Sequence, residues 1–412
     1  MLNRIKNKHM RILMITPMPP QQQAANGVPL VTYALLHGLS QHHDVTLATL
    51  AGPDANEYAA LHRLKAEGFD VRAIIRQSGQ RRLHTTMRLA ASVLGGREPL
   101  RSGWYWDARM QALIDALLNE QQFDIIQLDD NATGTYKLRT RTPIVLTEHE
   151  VRRPRPLAWK TSSSASLSTH LWQEDQWRRW PGYQRRVWQQ ADRIVVFTRR
   201  DAEAVATMAP ALAERTRMNP FGLALPPLAN PTCEQPGSVI FVGGYSHYPN
   251  CDAALWLAHD IMPQLRTLVP HVKLTLIGAE PPAELRALAC DDIAVIGRVP
   301  EIEPWIERAS LVLTPVRIGG GMRTKVIHAM AMGKAVVSTS LGVQGLEYGD
   351  QPPLVIADTA SAIAQGAAML LDSVEQRRCF GHRAREFVQK HHSAEAYADR
   401  MSAIYTELLE KH

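Results

Sequence analysis

The sequence is poor in cysteine, in aromatic residues and in long apolar runs. Its 412 residues include four cysteines, Cys233, Cys251, Cys290 and Cys379, and none belongs to a CxxC pair. That excludes the disulfide framework of a small secreted domain, and the expectation is reduced thiols in a cytoplasmic protein. No apolar stretch approaches the ~20 residues that span a bilayer. The N-terminus, MLNRIKNKHMRILMITP, puts basic residues ahead of an apolar run of about five, against roughly 7–15 in a signal peptide. It reads as a first buried strand. No His/Cys/Asp/Glu cluster has zinc-like spacing, so no metal is expected. No Ser-His-Asp arrangement can be read either. Low-complexity tracts and short-period repeats are missing as well.

What is present is ordinary for a folded chain: 45% hydrophobic and 21% charged residues. At roughly 100–200 residues per domain, the length suggests two or three domains. The net charge of +6 hides an asymmetry. Residues 1–225 carry 30 basic and 20 acidic side chains, and the remainder 16 and 20. A basic first half suits a phosphate-bearing substrate or an anionic membrane surface, or serves solubility alone. Nucleic acid is not expected, because no recognised motif accompanies the charge.

Short Val/Ile/Leu-rich runs recur with helical stretches between them. In the first half they are Arg11–Thr16, Asp44–Leu50, Phe69–Ile75, Asp124–Leu128, Pro143–Thr147 and Arg193–Phe197. Such runs are strands buried on both faces of a parallel sheet. Helical spacing in Val28–Gln41 and Ala108–Gln121 completes a doubly wound α/β pattern. Arg217–Gly237 holds five prolines and is the linker candidate. The pattern then restarts with Ser238–Val242, Val272–Ile277, Ile293–Ile296, Leu311–Thr314, Ala335–Thr339 and Leu354–Ala357. Two Rossmann-like domains are expected, at 1–220 and 221–393. The amphipathic helix Ala394–Lys411 is expected to pack back on the first. Between 152 and 188 lie Trp159, Trp172, Trp177, Trp180 and Trp188 among many arginines. They form either a membrane-interface face or helices packed into the lobe.

The stretch Leu311–Thr339, LVLTPVRIGGGMRTKVIHAMAMGKAVVST, carries chemistry. A buried strand ends at Thr314, Gly319-Gly320-Gly321 follow, and a helix is predicted from Met322 to a C-cap at Gly333. Glycines let backbone approach a ligand, and the unpaired first-turn N–H groups sit at the positive end of the helix dipole. That makes an anion site suited to a diphosphate. Arg317, Arg323 and Lys325 cluster at this end, where cations do not favour the helix itself.

The run GGGMRTKVIHAMAMGKAVVST resembles the donor-site segment of family 4 glycosyltransferases of the GT-B fold, in which two Rossmann-like domains face a cleft. FVGGYSHYPNCDAALWLAHDIMP, from Phe241 to Pro263, resembles the strand, loop and helix that open their C-terminal domain. TPMPP and NG near Thr16–Gly27, TEHE at Thr147–Glu150 and NPFGLAL at the linker are further matches in the right order. The triple glycine resembles the subgroup acting on exopolysaccharide and other cell-surface glycans.

The resemblance implies a metal-independent, retaining transfer of a sugar from a nucleotide-diphosphate sugar to a glycan or lipid-linked acceptor. No cofactor beyond that co-substrate is implied. The protein would be cytoplasmic, with a basic N-terminal domain able to touch the inner membrane face. By matching position, Gly320, Gly321, Met322 and Arg323 contact the diphosphate and donor sugar, and Arg323 or Lys325 offsets the leaving-group charge. Gly27 lies near the diphosphate, and Arg298 and Val299 lie against the nucleobase. Two departures stand out. Family members often carry glutamates eight positions apart where this chain has Gly320 and His328, and the second accepts the ribose hydroxyls. A neutral histidine accepts a single bond. The first C-domain loop, GGYSHYPN from Gly243, lacks the cations often found there, and Arg323 and Lys325 are candidates to compensate.

In the first half, Asp129 and Asp130 follow one buried strand and His149 follows the next. Ligands bind at such strand ends, where a carboxylate or imidazole can orient an acceptor hydroxyl or take its proton. Loop caps or surface charges are the plainer reading of each, and His247 is read as a loop residue. Two alternatives stay open: a degenerate protein of this fold that binds a glycan or partner, and a nucleotide-sugar epimerase.

Overall fold

The computed structural model describes residues 9–22, 27–52, 54–76, 99, 105–153 and 167–411, with backbone alone for 167–177. The chain divides into two compact units. One holds Met1–Gln21, Val31–Asn219 and Ala398–His412, and the other Gln22–Leu30 and Pro220–Tyr397.

The first unit is built on strands β1 (Arg11–Thr16), β2 (Asp44–Ala51), β3 (Asp70–Ile75), β4 (Ile125–Asp129), β5 (Ile144–Glu148), β6 (Arg193–Val196) and β7 (Thr216–Met218). They form one parallel sheet in the order β3-β2-β1-β4-β5-β6-β7. Helices α1 (Gly27–Leu39), α2 (Ala55–Ala66), α3 (Ala108–Glu120), α4 (Leu167–Gln189) and α5 (Arg199–Met208) alternate with the strands. The strands are apolar on both faces because helices cover both. Leu13, Ile15, Ile126, Leu146, Ile194 and Trp188 meet in one buried cluster. Each such side chain contributes about 1.5–3 kcal/mol by leaving water.

The second unit repeats the scheme with β8 (Gln235–Val242), β9 (Lys273–Ile277), β10 (Ile293–Ile296), β11 (Ala309–Thr314), β12 (Val336–Ser338) and β13 (Val355–Ile356). Their order is β10-β9-β8-β11-β12-β13, again parallel. Its helices are α6 (Tyr248–Trp256), α7 (Met262–Leu268), α8 (Ala283–Arg286), α9 (Glu303–Arg308), α10 (Thr324–Ala331), α11 (Ala360–Asp372) and α12 (Val374–His391). The last helix, α13 (Ala394–Leu409), begins in this unit and ends in the first. There its Tyr405 hydroxyl donates to Gln127 Oε1 at 2.8 Å, and Glu407 accepts from Arg217 at 2.6 and 3.1 Å.

The proline-rich stretch is shorter as a connection than its composition predicts. Strand β7 enters it at one end, and β8 starts at Gln235, ahead of Pro236. Proline is tolerated there because it sits at the start of a strand. Trp180 and Trp188 are 4% and 0% exposed, so both are core residues and neither belongs to a membrane-facing surface. Trp159 and the side chains of Trp172 and Trp177 lie outside the described residues. Among the described residues, no helix is long and apolar enough to cross a membrane.

Helix α10 ends as its glycine predicts. Gly333 has φ 73, its N–H donates to Met330 O at 3.0 Å, and Lys334 N–H donates to Ala329 O at 3.1 Å. This is a Schellman closure. Helix α12 crosses this turn at Gly381, where a methyl group would collide with the Gly333 carbonyl. Gly381→Ala should therefore destabilise by about 1–3 kcal/mol, a fall of several degrees in Tm. Helix propensity alone predicts a rise, so a thermal melt separates the two effects.

Candidate functional site

Both sheets reverse their strand order once, and open α/β sheets bind ligands beyond the strand C-termini at that reversal. In the second unit the reversal lies between β8 and β11. Strand β8 runs into Gly243-Gly244, and β11 runs through Pro315 into the triple-glycine loop and α10. Gly243 N–H donates to Ile277 O at 2.9 Å, and a methyl at Gly278 would collide with the Gly243 carbonyl. Gly319 and Gly321 have φ 104 and 73, a region that side-chain-bearing residues avoid. A methyl at Gly320 would meet nothing within 4 Å, so the middle glycine borders open space.

Helix α10 begins at Thr324, two residues later than predicted, because Arg323 is extended and forms the N-cap. Its guanidinium turns back on the loop, donating to Gly320 O at 2.8 Å and Ile318 O at 3.2 Å. Arg323 therefore braces the glycine loop and supplies no side-chain acceptor to the first helical turn. Lys325 crosses to the loop after β8. Its Nζ donates to Asn250 Oδ1 and lies 4.6 Å above the Phe241 ring, and a methyl at Gly243 would stand 2.8 Å from it. Asn250 Nδ2 donates in turn to Gly244 O at 2.8 Å. Burial, aided by the Arg323 charge, lowers the Lys325 amine to about 7. The Gly243–Asn250 loop has no cation of its own and receives one from α10.

The remaining expected donor residues divide. Gly27, the first residue of α1, groups with this unit, and a methyl there would stand 3.1 Å from Thr324 Cγ2. Met322 is buried beside the loop. Arg317 is committed elsewhere: its guanidinium donates to both Asp252 oxygens, at 2.8 and 3.1 Å, and lies 4.8 Å over Trp256. That bidentate pair sets Arg317 against Asp252 and leaves its Nη1 uncommitted to the carboxylate. Arg298 and Val299 follow β10 in a loop, with Arg298 exposed. His328 Nε2 lies 3.3 Å from Glu303 Oε1 at the start of α9.

In the first unit, β4 and β5 bring the expected acid and base together. His149 Nε2 lies 3.2 Å from Asp129 Oδ1, whose other oxygen accepts from Thr32 Oγ1. The His149 ring meets Phe197 edge-on at 5.1 Å. Burial opposes a charge on His149, yet Asp129, through its charge and its hydrogen bond, leads the groups that outweigh it and hold the imidazole above its ordinary value. Asp130 has a different job. It sits at φ 74, and its carboxylate caps the following turn by accepting from Ala132 N–H at 2.8 Å. Burial raises its carboxyl. Composition and spacing miss Glu148, which accepts from Asn131 Nδ2 at 2.5 Å and Trp188 Nε1 at 2.7 Å. Burial pushes it up to about 8, so it is neutral near pH 7.

Two family models match the chain: Glycosyltransferase Family 4 over residues 25–223 and Glycosyl transferases group 1 over residues 236–373. It is a family 4-like glycosyltransferase of the GT-B fold. The fold is similar to that of Anabaena HepE in complex with UDP-glucose, with TM-score 0.62 at 13% identity over 98% of this chain and 100% of that one. Sucrose-phosphate synthase from Thermosynechococcus elongatus gives TM-score 0.65 at 17% identity, over 98% and 100%. A glycosyltransferase from Rickettsia africae gives TM-score 0.63 at 11% identity, over 98% and 100%. No curated protein matches the sequence at a significant level.

The depressed Lys325 amine has a measurable consequence for this glycosyltransferase. Folded, it loses its proton near pH 7, whereas an unfolded lysine keeps it to about 10.5. The unfolded chain therefore binds more protons between those values, and stability rises with pH there. Lys325→Met should be more stable than wild type at pH 7, with the gap narrowing toward pH 10 in calorimetric melts. A gap independent of pH would contradict the depressed amine.

Proposed function

We propose that the protein moves a hexose from a nucleotide-diphosphate sugar to a hydroxyl of a glycan or lipid-linked acceptor, with retention, in cell-surface polysaccharide synthesis. One observation carries this reading: Lys325 Nζ lies against Gly243 at the strand-order reversal, beside a glycine loop that opens the N-terminus of α10. A diphosphate matches the ammonium, the first-turn N–H groups and backbone with no side chain in the way. The C1–oxygen bond of the sugar breaks, and the diphosphate leaves with the electron pair. Lys325 and the helix terminus hold that charge, with Arg323 keeping the loop in shape, so no metal is invoked.

The acceptor oxygen bonds to C1. Asp129 accepts from His149 Nε2–H, which leaves Nδ1 to hydrogen-bond and orient the incoming hydroxyl. Retention keeps acceptor and leaving group on one face, where a departing diphosphate oxygen takes the proton. The basic first half favours an anionic, lipid-linked acceptor presented at the cytoplasmic membrane face. HepE binding of UDP-glucose supports a nucleotide-sugar partner. A degenerate, glycan-binding protein is the second reading, favoured by His328 where the family glutamate is expected.

Calorimetric titration in EDTA with UDP, GDP, ADP and their sugar conjugates tests the proposal. One nucleotide should saturate the site, and Lys325→Met should weaken it roughly 10–100-fold. Failure of all of them to bind at millimolar concentration would favour the degenerate reading. Donor turnover with no acceptor present would favour an epimerase.

A further inference from the structure

Glu303 and His328 form a polar pair with hydrogen-bonding capacity left over. Their side chains are 25% and 15% exposed and 3.3 Å apart, yet the buried Nε2 of His328 has no aligned hydrogen-bond partner. Native structures rarely leave such an atom unpaired without a ligand or water in view. His328, with backbone N–H groups at the start of α9, holds the Glu303 carboxyl below its ordinary value, so it is ionised at neutral pH.

The pair also stands at a telling distance along the helix. His328 is four residues beyond Thr324, the first residue of α10. At 1.5 Å per residue that is roughly 6 Å from the terminus assigned to the diphosphate. A nucleotide places its ribose about that far from its phosphates. The ribose offers two adjacent hydroxyl donors, which a carboxylate with two oxygens can accept together and a neutral imidazole cannot.

We propose that Glu303 is the ribose-binding carboxylate of this site, and that His328 is a positioning residue that holds it. The inference rests on the donor-site reading above.

The test is titration of the full chain with UDP, GDP and ADP, followed by the 2′-deoxy form of whichever binds. Wild type should prefer the ribonucleotide roughly 10–100-fold. Glu303→Gln should weaken the ribonucleotide by a similar factor and erase the preference. His328→Glu added to Glu303→Gln should restore both by supplying a carboxylate from α10. A ribose preference that survives Glu303→Gln, or a wild type with none, overturns the inference while leaving the donor site standing. If no nucleoside diphosphate binds wild type, the donor-site reading fails and takes this one with it.

Discussion

A lysine ammonium drawn out of water and set against the end of a parallel strand organises the second unit. Lys325 costs free energy where it lies: burial and the nearby Arg323 lower its amine to about 7. The surroundings offset part of that cost through Asn250 and the Phe241 ring. They also leave no room for a side chain at Gly243. An incoming anion would offset the rest. The glycine loop, the Arg323 brace and the late start of α10 all serve to place this amine beside an uncapped helix terminus.

The first unit uses burial in the opposite sense. Its strand ends gather Asp129, Asp130, Glu148 and His149, and the fold gives each a different task. Glu148 is neutralised and locked by Trp188 and Asn131. Asp130 caps a turn. Asp129 stays with His149 and fixes which ring nitrogen carries the proton. Of these four ionisable groups His149 alone keeps a ring nitrogen uncommitted, because Glu148 is held by two side chains, Asp130 by the backbone and Asp129 by Thr32 and His149 itself.

Much of this was legible in the sequence, since buried parallel strands announce themselves as continuous apolar runs. Arg11–Thr16 and Ile293–Ile296 have the ends read from composition. β7 escaped notice because Thr216–Met218 is three residues long and enters a proline-rich stretch. The start of β8 escaped because Pro236 and Gly237 mask it. The glycine loop, its helix and the Gly333 cap were readable because backbone conformation is a local property. Side-chain partners were not. Asn250 meets Lys325 across 75 residues, and Asp252 takes Arg317 across 65, so neither pairing leaves a trace in local spacing. The pairings of Glu148 with Trp188 and of Glu303 with His328 leave none for the same reason.

Lys325 should gain a proton when it meets a diphosphate. The most direct measurement is calorimetric binding of the preferred nucleoside diphosphate at pH 8 in two buffers of different ionisation heat. An amine lowered to about 7 is mostly neutral at that pH, and an adjacent anion raises it again. Net uptake of close to one proton per nucleotide bound is expected, absent in Lys325→Met. Tight binding with no proton uptake, or uptake unchanged in Lys325→Met, would contradict it.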